Sequence, residues 1–316
     1  MGLPIIIYES REQLPFFFEI ILKNSNVENQ IYVLANQSGF SHNSKVEHVK
    51  LIDIPKYNED LENFQLKYKH LSTNSKEMEL ACFARFFAML RFMEQRGIQY
   101  AWHMDTDVWP TNDLQKFEKY VIEKGYGALL SGGYSDNSSL TAGCAIFDLE
   151  TLNDFCKYLS AEFYDKNLKK LEKFYVDRIN NGLSGGVCDM TALGMWVNQY
   201  NPKWINSYKF VIENTLIPQN LGQDLNDQFN ELFINLKNSF EIFTLKKGRI
   251  ICSIGGKKMN LASIHFGGHQ KFLIKHFARF KIIIGSPKFI HLLMRFYRKT
   301  NRADFANIPI VEITNK

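Results

Sequence analysis

Two carboxylates one residue apart, Asp105 and Asp107, end the apolar stretch Tyr100-Ala-Trp-His-Met. Carboxylates this close repel one another unless a cation lies between them. Hard divalent ions such as Mg²⁺ and Mn²⁺ take oxygen ligands and commonly share them with substrate phosphates. A bare D-x-D also occurs in solvated surface turns, so its partners elsewhere in the chain decide its chemistry. The stretch Ser263-Ile-His265-Phe-Gly-Gly268-His-Gln-Lys271 supplies partners of the right types. A histidine nitrogen can complete a metal's shell beside two aspartates. Glycines allow close backbone approach to a ligand, and a lysine meets a diphosphate as a point charge. The two stretches together imply a metal–diphosphate site, with Asp105, Asp107 and His265 on the metal and Gly268 and Lys271 toward the phosphates.

These residues need a scaffold. Residues 4–8 form a short β-branched run, 12–22 a helical pattern, and 30–35 a second strand. Strand–helix–strand is the unit of a parallel sheet. Residues 49–54 give a third strand, and 56–76 a polar mixed segment. The strongest helix spans 77–95, with Ser75 as N-cap and Gly97 at its end. It leads into a strand over 100–110. On a regular strand Asp105 and Asp107 point to one face, because the side-chain period is two. At the carboxyl end of a central strand that face opens into the ligand crevice of α/β proteins. A helix follows at Leu114–Lys124, strands at 127–131 and 140–149, and helices at 152–167 and 168–179. Glycines break the chain at 182–186 before a helix at Asp189–Tyr200. Residues 201–248 have no clear order, with 208–216 a candidate strand. Arg249–Ile254 and 260–266 read as strands. The expected class is α/β: a mostly parallel central sheet with helices on both faces.

At 316 residues the chain can bury a large core. A hydrophobic share of 45% and a charged share of 22% fit a soluble globular protein. The net charge of +5 is too mild to indicate nucleic acid without a recognition motif. Cys82, Cys144, Cys156, Cys188 and Cys252 are odd in number and widely spaced, which suggests neither a disulfide framework nor a zinc site. A reducing compartment fits. No run approaches the roughly 18 apolar residues of a membrane span. The first residues lack the basic and apolar regions of a signal peptide, so the expected location is cytoplasmic.

D-x-D followed much later by H-x-x-G-x-x-K resembles the pairing of the family-8 glycosyltransferases, the group of glycogenin and the bacterial lipopolysaccharide galactosyl- and glucosyltransferases. The matches are Asp105, Asp107, His265, Gly268 and Lys271. The resemblance implies a GT-A (Rossmann-like) fold. It implies Mn²⁺ (or Mg²⁺) on both aspartates and His265, with Lys271 on the diphosphate of a UDP-sugar. Phe83-Ala-Arg85-Phe is similar to the family's helix whose arginine faces the donor. Thr141-Ala-Gly143-Cys-Ala-Ile-Phe resembles its asparagine–small–glycine strand, with Thr141 where asparagine is usual. Asp189 stands where the family carries an acid near the reacting sugar, followed here by Met190 instead of glutamine or glutamate. Phe272-Leu273 replaces the Pro-Trp that often follows the lysine. Tyr8, at the end of the first strand, is placed to stack on uracil.

The activity implied is transfer of a hexose from a UDP-sugar to a glycan or lipid-linked glycan of a surface polysaccharide, with retention. Retention is not visible in the residues themselves, since an inverting enzyme needs only a base, and Asp189 or Asp136 would serve. The GT-A domain is expected over 1–275, with its nucleotide half at 1–110 and its acceptor half at 111–275. Residues 276–316 form a basic, aromatic C-terminal helical extension. Its interleaved basic and aromatic residues suit an anionic membrane face, which makes the protein peripheral on the inner face of the plasma membrane. The same pattern suits a helix packed on the domain with its basic side in water. Two other functions use the same residues. In a haloacid-dehalogenase-type phosphohydrolase Asp105 would be a nucleophile; Val108-Trp109 fits that motif poorly, and His265–Lys271 would have no task. A non-catalytic membrane-associated binder would keep the fold without turnover.

Overall fold

A computed structural model describes residues 2–11, 14–25, 27–35, 49–53, 59–132, 139–218, 241–246, 248–254, 257–267, 270–271, 273–280 and 282–285. Along the chain the first eight strands are β1 (Ile5–Glu9), β2 (Ile31–Ala35), β3 (Val49–Asp53), β4 (Tyr100–Met104), β5 (Val108–Pro110), β6 (Ala128–Gly132), β7 (Leu140–Asp148) and β8 (Trp204–Asn206). Seven of them build one sheet in the order β3-β2-β1-β4-β7-β6-β8. Pairings β1–β2, β2–β3, β1–β4 and β6–β8 are parallel, and only β7 runs against its neighbours β4 and β6. This is the mostly parallel α/β arrangement expected.

The helices are α1 (Phe16–Asn24), α2 (Glu59–Lys67), α3 (Lys76–Arg96), α4 (Leu114–Lys124), α5 (Leu149–Tyr158), α6 (Tyr164–Asn180), α7 (Asp189–Tyr200) and α8 (Leu273–Phe280). They cover both faces of the sheet, and β1 shows why its sequence is apolar throughout. Ile5 and Ile7 enter a core with Phe17, Phe18 and Ile21 of α1 and Phe117 of α4. Ile6 points the other way, into a core with Phe83, Phe86 and Phe87 of α3, Phe155 of α5 and Trp196 of α7. A strand buried on both faces reads as a continuous apolar run rather than an alternation. α3 begins where its sequence says: Ser75 accepts the Met78 amide at 3.2 Å, and Gly97 ends it in the left-handed region at φ 63°. The two helices expected over 152–179 are instead joined through a π-helical turn at Leu159–Phe163.

A second sheet has the order β14-β10-β11-β12-β9. It contains the expected strand Arg249–Ile254 and the end of the candidate strand 208–216, whereas its strand at Glu241–Lys246, in the segment without clear order, is unforeseen. Its strands are β9 (Thr215–Leu216), β10 (Glu241–Lys246), β11 (Arg249–Ile254), β12 (Lys257–Leu261) and β14 (Ile282–Gly285). The strand expected over 260–266 is two. β12 ends at Leu261 on the second sheet, and after Ala262 the chain continues as β13 (Ser263–His265), which pairs antiparallel with β5. Thr111 fixes this crossing, its amide donating to Ala262 O at 2.9 Å and its hydroxyl to Leu261 O at 3.0 Å.

The C-terminal extension differs from a single helix. In α8, Leu273, Ile274 and Phe277 are buried in the α1-side core, with Phe277 edge-on to Trp109, while Lys275 and Arg279 are exposed. The chain then changes to β14, paired with β10. The β-branched run Ile282–Ile284 favours a strand over a helix. The basic and aromatic residues after Gly285 lie outside the described residues. Among the described residues no helix is long and apolar enough to cross a membrane.

Candidate metal centre

β4 stops at Met104, and residues 105–107 form a turn before β5, with the Val108 amide donating to Asp105 O at 3.1 Å. The shared face of Asp105 and Asp107 therefore comes from a turn, not from strand alternation. Aspartate favours turns because its carboxylate can bond nearby backbone. The Asp105 amide donates to Gly143 O at 2.9 Å, which anchors the turn to β7. Unlike a solvated surface turn, this one leaves Asp107 only 6% exposed.

β13 delivers the third group. The register places His265 opposite Val108, and the Phe266 amide donates to Asp107 O at 3.0 Å. The ligand atoms of Asp105, Asp107 and His265 all lie within 4.8 Å of one another. His265 Nε2 is 3.1 Å from Asp107 Oδ1 and 4.0 Å from Asp105 Oδ2. Two carboxylate oxygens and one imidazole suit a first-row divalent ion. The floor of the cluster is Gly143. A Cβ there would stand 3.0 Å from His265 Cε1 and 3.1 Å from Asp105 Oδ2.

The two aspartates have different partners. Lys271 Nζ lies 3.0 Å from Asp107 Oδ2, so both oxygens of that carboxylate face cationic or hydrogen-bonding groups. Burial pushes Asp107 up, but the hydrogen bonds and charges of His265 and Lys271 prevail and hold it at about 2. Asp105 instead turns to α3, where Arg85 donates to its Oδ1 at 2.5 Å. The other arm of Arg85 donates to Asp189 Oδ2. Arg85 is 8% exposed and Asp189 3%. Burial raises the Asp189 carboxyl, and Arg85 pulls it back part of the way. Burial works against the charge on Arg85, but the two carboxylates bracketing the guanidinium keep it charged.

Asp189 opens α7, and the loop before it is clamped to the loop before α3. Ser72 bridges Gly186, the Val187 amide donates to Leu71 O at 2.8 Å, and the Gly185 amide donates to Thr73 Oγ1 at 2.7 Å. The buried Glu79 holds the first loop by accepting from Ser72 Oγ at 2.7 Å and Asn74 Nδ2 at 2.8 Å. A Cβ on Gly186 would fall 2.1 Å from Leu71 O.

The structure thus brings Asp105, Asp107, His265, Lys271, Arg85, Asp189 and Gly143 together. Thr141, on β7, accepts the Gly143 amide at 3.1 Å through its hydroxyl, which supports the floor of the cluster. Tyr8, half-buried in β1, packs on the α3 side of the core. Gly268 and Asp136 lie outside the described residues. Sequence reasoning missed Glu9 and Arg11, which meet the turn through Thr106. An acid and a base at the carboxyl end of the first strand were the available signal. It also missed His103, whose Nδ1 lies 2.6 Å from Ala142 O inside the sheet.

No family model matches the chain, and the comparison with curated proteins finds no match. Among solved structures the chain is similar to mouse xyloside xylosyltransferase 1 in its apo form. The TM-score is 0.44 at 10% identity, over 65% of this chain and 85% of that one.

Proposed function

We propose that the protein is a metal-dependent glycosyltransferase of the family-8 type, moving a hexose from a UDP-sugar to a glycan or lipid-linked glycan, with retention. The observation that carries this reading is the Asp105–Asp107–His265 cluster with Lys271 beside it at the carboxyl end of a central strand. Charge balance supports it. Four carboxylates (Glu9, Asp105, Asp107, Asp189) meet three cationic side chains (Arg11, Arg85, Lys271). A divalent ion would tip that balance to positive and favour an anion such as a diphosphate.

A bound Mn²⁺ or Mg²⁺ would supply Lewis-acid stabilisation of the negative charge that grows on a leaving diphosphate. Asp105, Asp107 and His265 would hold it. Lys271, released from Asp107 Oδ2, is within reach of the same charge and stabilises it as it develops. Arg85 keeps Asp105 and Asp189 in fixed relation. Asp189 is the carboxylate available to a developing oxocarbenium ion or to an acceptor hydroxyl. A phosphohydrolase with Asp105 as nucleophile is less well served, because its Oδ1 is occupied by Arg85.

Calorimetric titration of UDP with and without Mn²⁺ tests the reading. The wild type should bind UDP only with the metal, and Asp107→Ala should abolish that binding. No UDP binding under any metal condition would overturn it and direct attention to GDP and dTDP, then to phosphatase assays. We further propose that residues after Gly285 hold the protein on an anionic membrane near a lipid-linked acceptor. Because Phe277 is core, the deletion that tests this starts at 286. Unchanged binding to anionic liposomes would refute it.

A further inference from the structure

One cation counted in the charge balance above, Arg11, has no contact with a ligand assigned to it. Glu9 closes β1 with a side chain only 3% exposed, while Arg11, two residues on, is 53% exposed. The carboxylate grips the arginine at three points. Glu9 Oε1 accepts the Arg11 amide at 2.9 Å and Nε at 2.7 Å, and Oε2 accepts from Nη2 at 2.5 Å. The guanidinium is therefore fixed in plane, with its acid behind it in the protein. Nη2 also reaches Thr106 Oγ1 at 3.3 Å, on the residue between the two aspartates of the candidate metal centre. β1 and β4 are adjacent and parallel, so their carboxyl ends open into the same crevice.

A surface ion pair gains little from such an arrangement, since exposed pairs need no buried partner. Burying a carboxylate to immobilise an exposed arginine does suit recognition of an anion. Glu9 takes the Nε–Nη2 edge, which turns Nη1 and the end of the guanidinium outward as fixed donors for phosphate oxygens, a geometry that the flexible ammonium of lysine does not reproduce. Asp107 makes its close contacts with His265 and Lys271 and acts on this guanidinium only through its charge.

We propose that Arg11 is a second phosphate anchor, separate from Lys271, which meets the diphosphate of the nucleotide donor above Thr106, and that Glu9 is the residue that positions it. The proposal rests on the metal–nucleotide reading and extends it to a residue that the H-x-x-G-x-x-K and D-x-D motifs do not include.

The test is titration of two probes in the presence of Mn²⁺, inorganic diphosphate and UDP, on the wild type, Arg11→Gln, Arg11→Lys and Glu9→Gln, each with a thermal melt. Arg11→Gln should bind both probes about ten- to hundredfold more weakly, the range of a charge-assisted hydrogen bond. Its melting temperature should fall, because Glu9 is only 3% exposed and loses two of its three bonds. Affinities are therefore compared well below the lowest melt, and Arg11→Lys, which keeps a cation beside Glu9, separates loss of the fork from loss of stability. Arg11→Lys should recover only part of the affinity and should make binding more sensitive to salt. Glu9→Gln, with Arg11 intact, should also weaken both probes. Wild-type affinity in Arg11→Gln for both probes would overturn the proposal alone. Loss for UDP without loss for diphosphate would move Arg11 to the nucleoside and overturn its assignment to phosphate. Failure of the wild type to bind either probe would overturn the underlying nucleotide reading as well.

Discussion

Asp105 and Asp107 stand two residues apart and are held in opposite ways. Asp105 leans on a sealed side, where Arg85 and Asp189 are nearly inaccessible to water. Asp107 leans on an open side, where Lys271 is 36% exposed. The sealed side is fixed by two helices, α3 and α7, and by the clamp between the loops that precede them. The open side is built from a three-residue strand and a lysine near the start of α8. The sealed side is held by buried partners, and the open side by a lysine that reaches water.

The sharpest way to break this contrast is Arg85→Ala. It leaves Asp189 buried and unpaired, and loss of one partner of a buried ion pair costs about 3–5 kcal/mol. Urea unfolding should show that loss, and a stability near wild type would mean that the sealed side is not what holds the fold there. Gly186→Ala comes next. Its Cβ would meet backbone, which cannot swing away, so the clamp must open at a cost of about 1–3 kcal/mol. Melting temperature should fall, and metal-dependent UDP binding should weaken because a displaced Asp189 no longer holds Arg85 against Asp105.

The pH dependence of stability sharpens the comparison further. Burial lowers His103 most, and nearby Arg85 adds to it, bringing the imidazole to about 4. The unfolded imidazole takes up a proton near 6.5 and the folded one only near 4. The folded state thus holds this contribution in full above pH 6.5 and loses it as pH falls toward 4. In unfolding curves across that window, His103→Gln should lose less stability than the wild type; parallel curves would remove His103 from the account. The smallest effect on stability belongs to Lys271→Ala, at most about 1 kcal/mol as for exposed pairs. Its effect should appear in nucleotide affinity instead, and a loss of stability matching that of Arg85→Ala would erase the distinction between the two sides.

Much of this site was legible in residue types and spacing. The carboxylates, the histidine and the lysine have few roles in common, and a metal–phosphate centre is one of them. Ser75 and Gly97 marked the ends of α3 because capping is local chemistry. What escaped was non-local. Residues 100–110 look like one strand because apolar spacing does not record where a strand loses its neighbour. β8 has three residues, too few for any period to register. β10 is a strand because β11 and β14 lie beside it. Glu9 and Arg11 look like ordinary charges after a strand until Thr106 is seen against them. Gly186 looked like part of a glycine-rich break, and only the approach of Leu71 and Ser72 shows why a side chain has no room.

The joint between β5 and β13 also sets when the centre can exist. Thr111 and Leu261, which secure that joint, are 150 residues apart. During synthesis the chain emerges from its first residue onward, so the D-x-D turn is made long before its histidine. Until β13 and α8 are made, Asp107 lacks His265 and Lys271, and the α1-side core lacks Ile264, Phe266, Ile274 and Phe277. Closing so long a loop is entropically costly and slow compared with local pairing. The candidate centre is therefore assembled late, after its third group joins the two aspartates. A ribosome-bound or prematurely terminated product carries both aspartates without the histidine and lysine that complete the candidate centre.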